Sequence, residues 1–396
     1  MDRYVSPRWL PGGNLQTIWP ALWSRRHDGP PPVYRRERWT TPDRDFIDVD
    51  FQDAIAPTLP AARGSLPAGG ALAPGPGQAG AGDPADRGVG APTLPAARGS
   101  LPPEGALAPG PGQAGAGDPA DRALGSATPS AAPLLVLFHG LEGSSHSHYA
   151  EAFAAFAAAQ GMGFAVPHFR GCSGEINLAP RAYHSGDHEE VGWILRRLAD
   201  QAAGRPLLAV GVSLGGNALM RWAEEAGDTA AAVVKAVASV SAPLDLAAGG
   251  AAIGRGFNRL VYTRMFLSTM KPKALAKLAQ HPGLFDAERL RAARDLYAFD
   301  DVFTAPLHGF RNTEDYWARA SAKPHLRAIR VPALVVNARN DPFVPGSSLP
   351  GPHEVGQHVT LWQPLHGGHV GFPWGRPPGH VRTMPEAVGG WLRAHL

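Results

Sequence analysis

The chain has 396 residues and a formal charge of +3, and its 37 Lys and Arg are spread along it, so nucleic acid is not an expected partner. Its one cysteine, Cys172, excludes an intramolecular disulfide, and no stretch reaches the ~18 apolar residues that span a bilayer. The first residues lack the apolar run of a secretion signal, so we expect a cytoplasmic protein, with peripheral contact to a membrane left open.

Residues 56–122 differ in composition from the rest of the chain. They contain 15 Gly and 13 Pro but no aromatic residue, whereas the other residues carry all 32 aromatics. Residues 56–87 return almost unchanged as residues 91–122, but two copies without a continuous apolar face fall short of the three that a solenoid requires. We therefore predict a disordered Pro-, Gly- and Ala-rich insert at 56–130 rather than a binding module, because it cannot bury enough surface to offset its ordering entropy.

Outside this insert, the predicted elements begin with a hairpin. Phe46–Phe51 alternates apolar and acidic side chains, as a half-exposed strand does, and Pro42–Asp45 predicts a turn back to a strand around Arg38–Thr40. The next predicted strand, Leu134–Gly140, starts with five apolar residues. This run suits a strand that is covered on both faces.

Strands and helices then alternate along the chain. The further predicted strands are Gly163–Phe169, Pro206–Val212, Val233–Ala242, Val331–Ala338 and His358–Pro364. The predicted helices are one that ends at Gly161, one opened by a capping box of Asp187 and Glu190, one at about Gly216–Glu225 and one near Pro385–Leu396. This alternation predicts an α/β protein with a mostly parallel central sheet flanked by helices.

Nearly ninety residues with helical character interrupt this alternation. They are too many for a simple crossover, so we predict a helical cap or lid at residues 246–328 over the carboxyl edge of the sheet. The expected organisation is an N-terminal segment with the first strands at 1–55, the insert at 56–130, and core segments at 131–245 and 329–396.

The sequence GVSLGG at Gly211–Gly216 lies between a predicted strand and a predicted helix, as a G-x-S-x-G nucleophile elbow requires. A strand that turns sharply into a helix holds Ser213 in a strained conformation, so Gly211 and Gly215 must lack side chains. The helix N-terminus also favours negative charge developing beside the serine. We therefore predict Ser213 as a nucleophile.

A serine nucleophile needs a histidine base that an acid orients. In proteins with this elbow the acid and then the histidine follow the serine in the chain. Asp341 and His369 each come just after a predicted strand, at the edge where open α/β sheets place their sites. The sequence therefore predicts a catalytic set of Ser213, Asp341 and His369.

Other residues compete for these roles. Asp341 precedes a proline and could simply initiate a turn, and the competing acids and base are Asp300, Asp301 and His366. His369 is preferred as the base because the two glycines before it allow the backbone to bring its ring to the serine. A metal site would have to be built from His353, His358, His366 and His369. No metal is expected, because neither a paired carboxylate nor a Cys ligand accompanies them.

The oxyanion formed by nucleophilic attack needs two backbone donors. We predict the amides of Leu214, next to the nucleophile, and of Leu141, in the loop after the first buried strand. His139 is interpreted as a structural hydrogen-bonding residue, and Arg170 as structural with substrate contact as the alternative. Cys172 is expected to be buried and inert, because nothing near it in the sequence marks an activated thiolate.

The pattern resembles the α/β-hydrolase superfamily and, more narrowly, its YheT-like esterase branch. The segments that carry the resemblance are SPRWLPGGNLQT, FHGLEGSSHSHY, HFRGCSGE, YHSGDHEEV, GVSLGGNALMRW, FTAPLHGF and HGGHVGF. They cover the chain from about Pro7 to Leu396 apart from the insert. The resemblance implies a hydrolase of carboxylic esters, with relatives linked to acylglycerol or phospholipid substrates. Ser213, Asp341 and His369 match the triad of that family.

These observations predict a serine carboxylesterase or acylglycerol lipase-like enzyme that forms an acyl-enzyme and needs no cofactor. The alternatives are an acyltransferase or thioesterase with the same triad, and a non-catalytic binding protein on the same fold. The expected partner is a small-molecule ester, with a lipid-like ester as one option. The acyl chain, the alcohol portion and the oligomeric state do not follow from the sequence.

Overall fold

The computed structural model describes residues 4–54 and 132–396, so the predicted disorder of the insert lies outside the described residues. The strands are β1 (Arg35–Thr40), β2 (Phe46–Gln52), β3 (Leu134–Phe138), β4 (Gly163–Pro167), β5 (Leu207–Val212), β6 (Ala236–Val240), β7 (Ala333–Val336) and β8 (Val359–Trp362). Within these described residues they form one sheet in the order β1-β2-β4-β3-β5-β6-β7-β8.

The sheet is parallel from β4 to β8 and antiparallel at its first edge. β1 and β2 form the predicted hairpin, and β2 runs antiparallel to β4. In the centre, Val136 of β3 lies between Ala165 of β4 and Ala209 of β5, both in parallel register. The prediction of a mostly parallel α/β sheet is confirmed.

Helices surround this sheet. The longer ones are α1 (Gly13–Leu22), α2 (His148–Ala159), α3 (His188–Gln201), α4 (Leu214–Ala226), α6 (Leu246–Ile253), α8 (Arg264–Gln280), α12 (Thr313–Ala320) and α13 (Thr383–Arg393). The shorter ones are α5 (Ala230–Val233), α7 (Gly256–Asn258), α9 (Ala287–Ala292), α10 (Leu296–Phe299) and α11 (Ala305–Leu307). Two π-helical segments, Arg259–Thr263 and Asp300–Thr304, continue α7 into α8 and α10 into α11.

The core has two layers because side chains alternate across the sheet. Leu134, Val136 and Phe138 of β3 pack in one apolar cluster with residues of α3 and α4. Leu135 and Leu137 point the other way and pack with residues of α2 and α13. All five side chains are buried, which explains the continuous apolar run in this strand.

Helix α3 begins where the sequence predicts, but the predicted capping box is wrong. The Asp187 carboxylate accepts a hydrogen bond from Arg181 at 2.6 Å, and Glu190 accepts one from Arg170 at 2.5 Å. Neither carboxylate bonds to the helix backbone. Guanidinium groups make stronger, charge-assisted bonds than backbone amides do, so the two arginines take these carboxylates and tie the loop before α3 to its first turn.

Residues 246–328, the predicted helical cap, contain helices α6 to α12. They have an apolar cluster of their own, in which Leu267 of α8 packs with Leu290, Phe299 and Phe303. No helix among residues 4–54 and 132–396 combines the length and the apolar character that crossing a bilayer demands.

Candidate active site

Ser213 stands at the turn between β5 and α4, in the elbow that the sequence predicts. Its φ of 53° and ψ of −120° lie outside the regions that most residues adopt. A Cβ added to Gly211 would approach the Gly215 carbonyl oxygen to 2.3 Å, and one on Gly215 would approach that of His139 to 2.4 Å. Only glycine fits at both positions, because these contacts are with backbone that cannot move aside.

The structure brings the three predicted catalytic side chains into one hydrogen-bonded row. His369 Nε2 lies 3.0 Å from Ser213 Oγ, and His369 Nδ1 lies 2.9 Å from Asp341 Oδ2. Asp341 is buried, and its Oδ1 also accepts hydrogen bonds from the Phe343 and Val344 amides at 2.8 and 3.2 Å. The carboxylate therefore both orders the turn after β7 and holds the imidazole ring, so the two interpretations of Asp341 are compatible.

The competing residues have other partners or are exposed to solvent. His366 is exposed at the surface. Asp300 accepts hydrogen bonds from Thr304 and Trp317 at 2.6 and 2.9 Å, and burial raises its pKa to about 6. Asp301 forms an ion pair with Arg289 at 3.1 Å. None of the three contacts the imidazole of the predicted base.

The two amides predicted as oxyanion donors have no acceptor among the described residues. In the part of the chain that the structure describes, neither the Leu141 amide nor the Leu214 amide donates a hydrogen bond. A Cβ on Gly140 would lie 3.2 Å from Ser213 Cβ, so the loop of Leu141 passes directly beside the serine. The Gly140 amide itself donates to Tyr149 Oη at 2.9 Å, which fixes the start of this loop.

Glu142, the next residue of this loop, adopts a left-handed conformation with a φ of 57°. The Glu142 amide donates to Tyr183 Oη at 3.0 Å, and the Tyr183 hydroxyl donates back to Glu142 Oε1 at 2.9 Å. Lys273 of α8 forms an ion pair with Glu142 Oε2 at 2.8 Å. A positive φ is energetically unfavourable for a residue other than glycine. These three bonds therefore stabilise the conformation of Glu142 and, with it, the loop beside Ser213.

The N-terminal segment holds the loop that carries His369, and sequence reasoning missed this role. Thr17 Oγ1 of α1 accepts a hydrogen bond from the His369 amide at 2.8 Å. The buried Gln16 side chain accepts bonds from the Gly367 amide and from Asn340 Nδ2, both at 2.9 Å. The sequence feature that could have indicated this role is the pair of polar residues Gln16 and Thr17, within the segment NLQT of the otherwise mostly apolar first helix.

Replacing Thr17 with Val is expected to lower kcat about ten-fold. Valine has nearly the same shape but no acceptor, so the buried His369 amide loses its partner at a cost of ~1–3 kcal/mol and the ring leaves its aligned position. Thr17→Ser keeps the acceptor and should restore kcat. Steady-state kinetics on a p-nitrophenyl ester, with a thermal melt to verify folding, provide the test. A Val variant with normal kcat would show that this bond does not position the histidine.

The remaining predicted residues have structural contacts. His139 Nε2 accepts a hydrogen bond from the Phe169 amide at 3.0 Å, so Nδ1 carries the proton and donates to the Gly140 carbonyl at 2.8 Å. Burial lowers the pKa of His139 to about 3, so the ring stays neutral. The buried Arg170 binds Asp45 at 2.7 Å and, as described above, Glu190.

Two other sequence interpretations concern a thiol and a metal. Cys172 is partly exposed rather than buried as expected, but desolvation of its thiol raises its pKa to about 12, so the thiol stays protonated. Among residues 4–54 and 132–396 there is no group of three or more His, Cys, Asp or Glu that could hold a metal ion.

A pocket opens above Ser213, between the carboxyl ends of the strands and the helices of residues 246–328. It encloses about 1190 Å³, including the part open to solvent, and Leu141, Ser213, Leu214 and His369 lie along it. Most of its wall is apolar, with contributions from Leu246, Ile253, Phe266, Met270, Phe303 and Phe343. A site with such a lining suits an organic ligand with an apolar portion.

This fold agrees with the comparisons with known proteins. Residues 133–376 match the model of the family described as the alpha/beta hydrolase fold. The chain belongs to that family.

Among its relatives is the Escherichia coli (strain K12) protein named "Putative esterase YheT", which is 40% identical over 267 residues, or 67% of this chain and 77% of that protein. Phospholipase ABHD3 of Mus musculus is 29% identical, across 67% of this chain and 64% of that protein. Monoacylglycerol lipase of Saccharomyces cerevisiae is 26% identical, across 61% of this chain and 55% of that protein. The chain is thus an esterase- or lipase-type α/β hydrolase of the YheT-like branch, as the resemblance implies.

Proposed function

We propose that this protein is a serine hydrolase that cleaves carboxylic esters through a Ser-His-Asp triad and an acyl-enzyme intermediate. The observation that carries the proposal is that one imidazole bridges Ser213 Oγ and the Asp341 carboxylate beside an apolar pocket. The activities named for the relatives are consistent with it.

In the first step, Ser213 Oγ attacks the acyl carbonyl while His369 Nε2 takes the hydroxyl proton. Asp341 accepts the Nδ1 hydrogen bond, which fixes the tautomer that leaves Nε2 free and stabilises the imidazolium ring as it forms. His369 then gives the proton to the departing alcohol. In the second step the same ring takes a proton from water, whose oxygen attacks the acyl carbon. The bond from that carbon to Ser213 Oγ then breaks, His369 returns the proton to Oγ, and the acid is released.

The Leu141 and Leu214 amides supply hydrogen bonds to the oxyanion in both steps. Two facts support this assignment: both residues lie along the pocket with Ser213, and neither amide has another partner among the described residues. The N-terminus of α4 adds a favourable dipole at the same point.

The substrate is a small-molecule ester with an apolar acyl chain, because the side chains that surround the serine are mainly aliphatic and aromatic. Each methylene that leaves water contributes ~0.8 kcal/mol, or about four-fold in transition-state binding. The cytoplasmic location expected from the sequence stays a prediction.

A series of p-nitrophenyl esters of increasing acyl length tests this proposal. We expect kcat/KM to rise about four-fold per methylene over the first members and then to level off when the pocket is filled. Adding glycerol to the assay separates hydrolysis from acyl transfer, since a hydrolase should still release mainly the free acid. A thioester of the same acyl chain tests the thioesterase alternative.

Absence of hydrolysis across the whole series, together with no reaction with a fluorophosphonate, would contradict the proposed chemistry and favour a binding protein. Hydrolysis that does not depend on acyl length would instead contradict the assignment of the apolar pocket to the acyl chain.

A further inference from the structure

One helical surface carries large apolar side chains that no part of the described chain covers. It consists of the exposed side chains of residues 255–265, which run from α7 through the π-helical segment into α8; we call it the 255–265 face. Its apolar members, with their exposed fractions, are Phe257 (50%), Leu260 (66%), Val261 (37%) and Met265 (53%). Four such residues within nine positions are unusual on a surface that faces only water.

The charged members of this face are all basic. Arg255, Arg259 and Arg264 are exposed, and their side chains make no ion pair or hydrogen bond with any residue in the ranges 4–54 and 132–396. Arg311, by contrast, is exposed and pairs with Asp315 at 2.9 Å.

The basic character extends beyond these three arginines. Residues 4–27 and 246–285, which contain α1 and α6 to α8, carry nine Lys or Arg and no acidic residue, although the whole chain has a formal charge of only +3. Tyr262 joins the two segments through a hydrogen bond to Asn14 at 2.9 Å, and the neighbouring Leu15 is also exposed. Arg26 pairs with Glu151 and Lys273 with Glu142, so this side of the molecule combines apolar side chains with a surplus of positive charge rather than nine free cations.

The 255–265 face runs into α8, a helix that also lines the candidate active site. Phe266, Met270 and Lys273 of α8 line the pocket that contains Ser213, whereas Met265 and Ser268 of the same helix are exposed. Helix α8 therefore separates this pocket from the outer surface.

We propose that the 255–265 face docks on an anionic lipid bilayer. Apolar side chains on one face of a helix enter the boundary between head groups and acyl chains, and arginines beside them bind the anionic head groups. A complementary acidic protein would explain the arginines but not the long apolar side chains between them, whereas a bilayer satisfies both. Docking there places the pocket next to the membrane, where apolar esters are concentrated.

Co-sedimentation with vesicles tests this proposal on the full chain carrying Ser213→Ala. This variant makes binding independent of ester hydrolysis, so failure of the proposed chemistry and failure of docking are distinguishable. We expect binding to vesicles of phosphatidylcholine with phosphatidylglycerol, much weaker binding to phosphatidylcholine alone, and loss of the difference at high salt.

Two multiple variants separate the two contributions. The first is a triple variant, Arg255→Gln with Arg259→Gln and Arg264→Gln. It should weaken binding to the anionic vesicles about 100-fold at low salt, since each arginine near such a surface raises the binding constant about five-fold. Leu260→Ser with Met265→Ser should weaken it about ten-fold or more. The matched controls are Arg311→Gln with Arg319→Gln and Val33→Ser with Leu396→Ser, which change exposed residues outside the face and should bind like the parent.

Circular dichroism melts establish that each variant is folded. The proposal is overturned if the parent does not bind anionic vesicles, or if folded variants of the face bind as well as the controls do. It is also overturned if light scattering shows a dimer that Leu260→Ser with Met265→Ser dissociates, because a second copy of the chain would then cover this face.

Discussion

Replacing Ser213 with Ala is expected to lower turnover of a p-nitrophenyl ester by about 10⁶-fold. The reason is that Ser213 Oγ is the hydroxyl that His369 Nε2 contacts, at 3.0 Å, so the variant has no nucleophile for the base to activate. Residual catalysis would come from the oxyanion donors and substrate binding alone.

The matched control is Ser185→Ala. Ser185 lies along the same pocket, but its hydroxyl accepts a hydrogen bond from Asn217 at 3.1 Å and does not contact His369. Its loss should change turnover by about ten-fold or less, as expected for one buried hydrogen bond. If Ser213→Ala kept turnover within about 100-fold of the parent, the nucleophile assignment would be wrong.

Replacing Asp341 with Asn is expected to lower kcat by about 10⁴-fold while leaving the fold intact. The Phe343 and Val344 amides bond to Oδ1, so they will keep the oxygen of the asparagine amide on their side. Its NH₂ group then takes the Oδ2 position, 2.9 Å from His369 Nδ1. Nδ1 must accept this bond, Nε2 becomes protonated, and the ring can no longer take the serine proton.

Asp300→Asn is the control for this prediction, because Asp300 is a buried carboxyl group that lines the pocket and competed for the role of the acid. Its bonds to Thr304 and Trp317 give it no contact with the imidazole, so kcat should change far less. Steady-state kinetics and the rate of fluorophosphonate inactivation measure both variants. If Asp341→Asn had normal activity and Asp300→Asn were inactive, Asp300 rather than Asp341 would be the acid that orients the histidine.

The parts of the site that are local in the sequence could be predicted from it. Gly211 and Gly215 have to be glycine because a Cβ on either would meet backbone at 2.3–2.4 Å, and this requirement appears as a short motif between an apolar strand and a helix. Asp341 and His369 each follow a strand of the parallel sheet, so the rule that sites lie at the carboxyl edge was enough to find them.

The parts that depend on long-range packing could not be predicted in the same way. Thr17 and Gln16 reach a loop about 350 positions away in the chain, and nothing in the local pattern of α1 indicates which loop they hold. The pairing of Glu142 with Lys273 likewise depends on how α8 lies over the sheet. The capping box failed because Arg170, 20 positions before Glu190 in the chain, binds the carboxylate that the motif assigns to the backbone.

Mass spectrometry of the protein after reaction with a fluorophosphonate tests the assigned nucleophile most directly. We expect one adduct per chain, on the tryptic peptide that ends at Arg221, in which Ser213 is the sole serine. The adduct should form in step with loss of esterase activity. Complete inhibition with the adduct on any other residue, or full activity in a protein whose Ser213 is modified, would contradict the account.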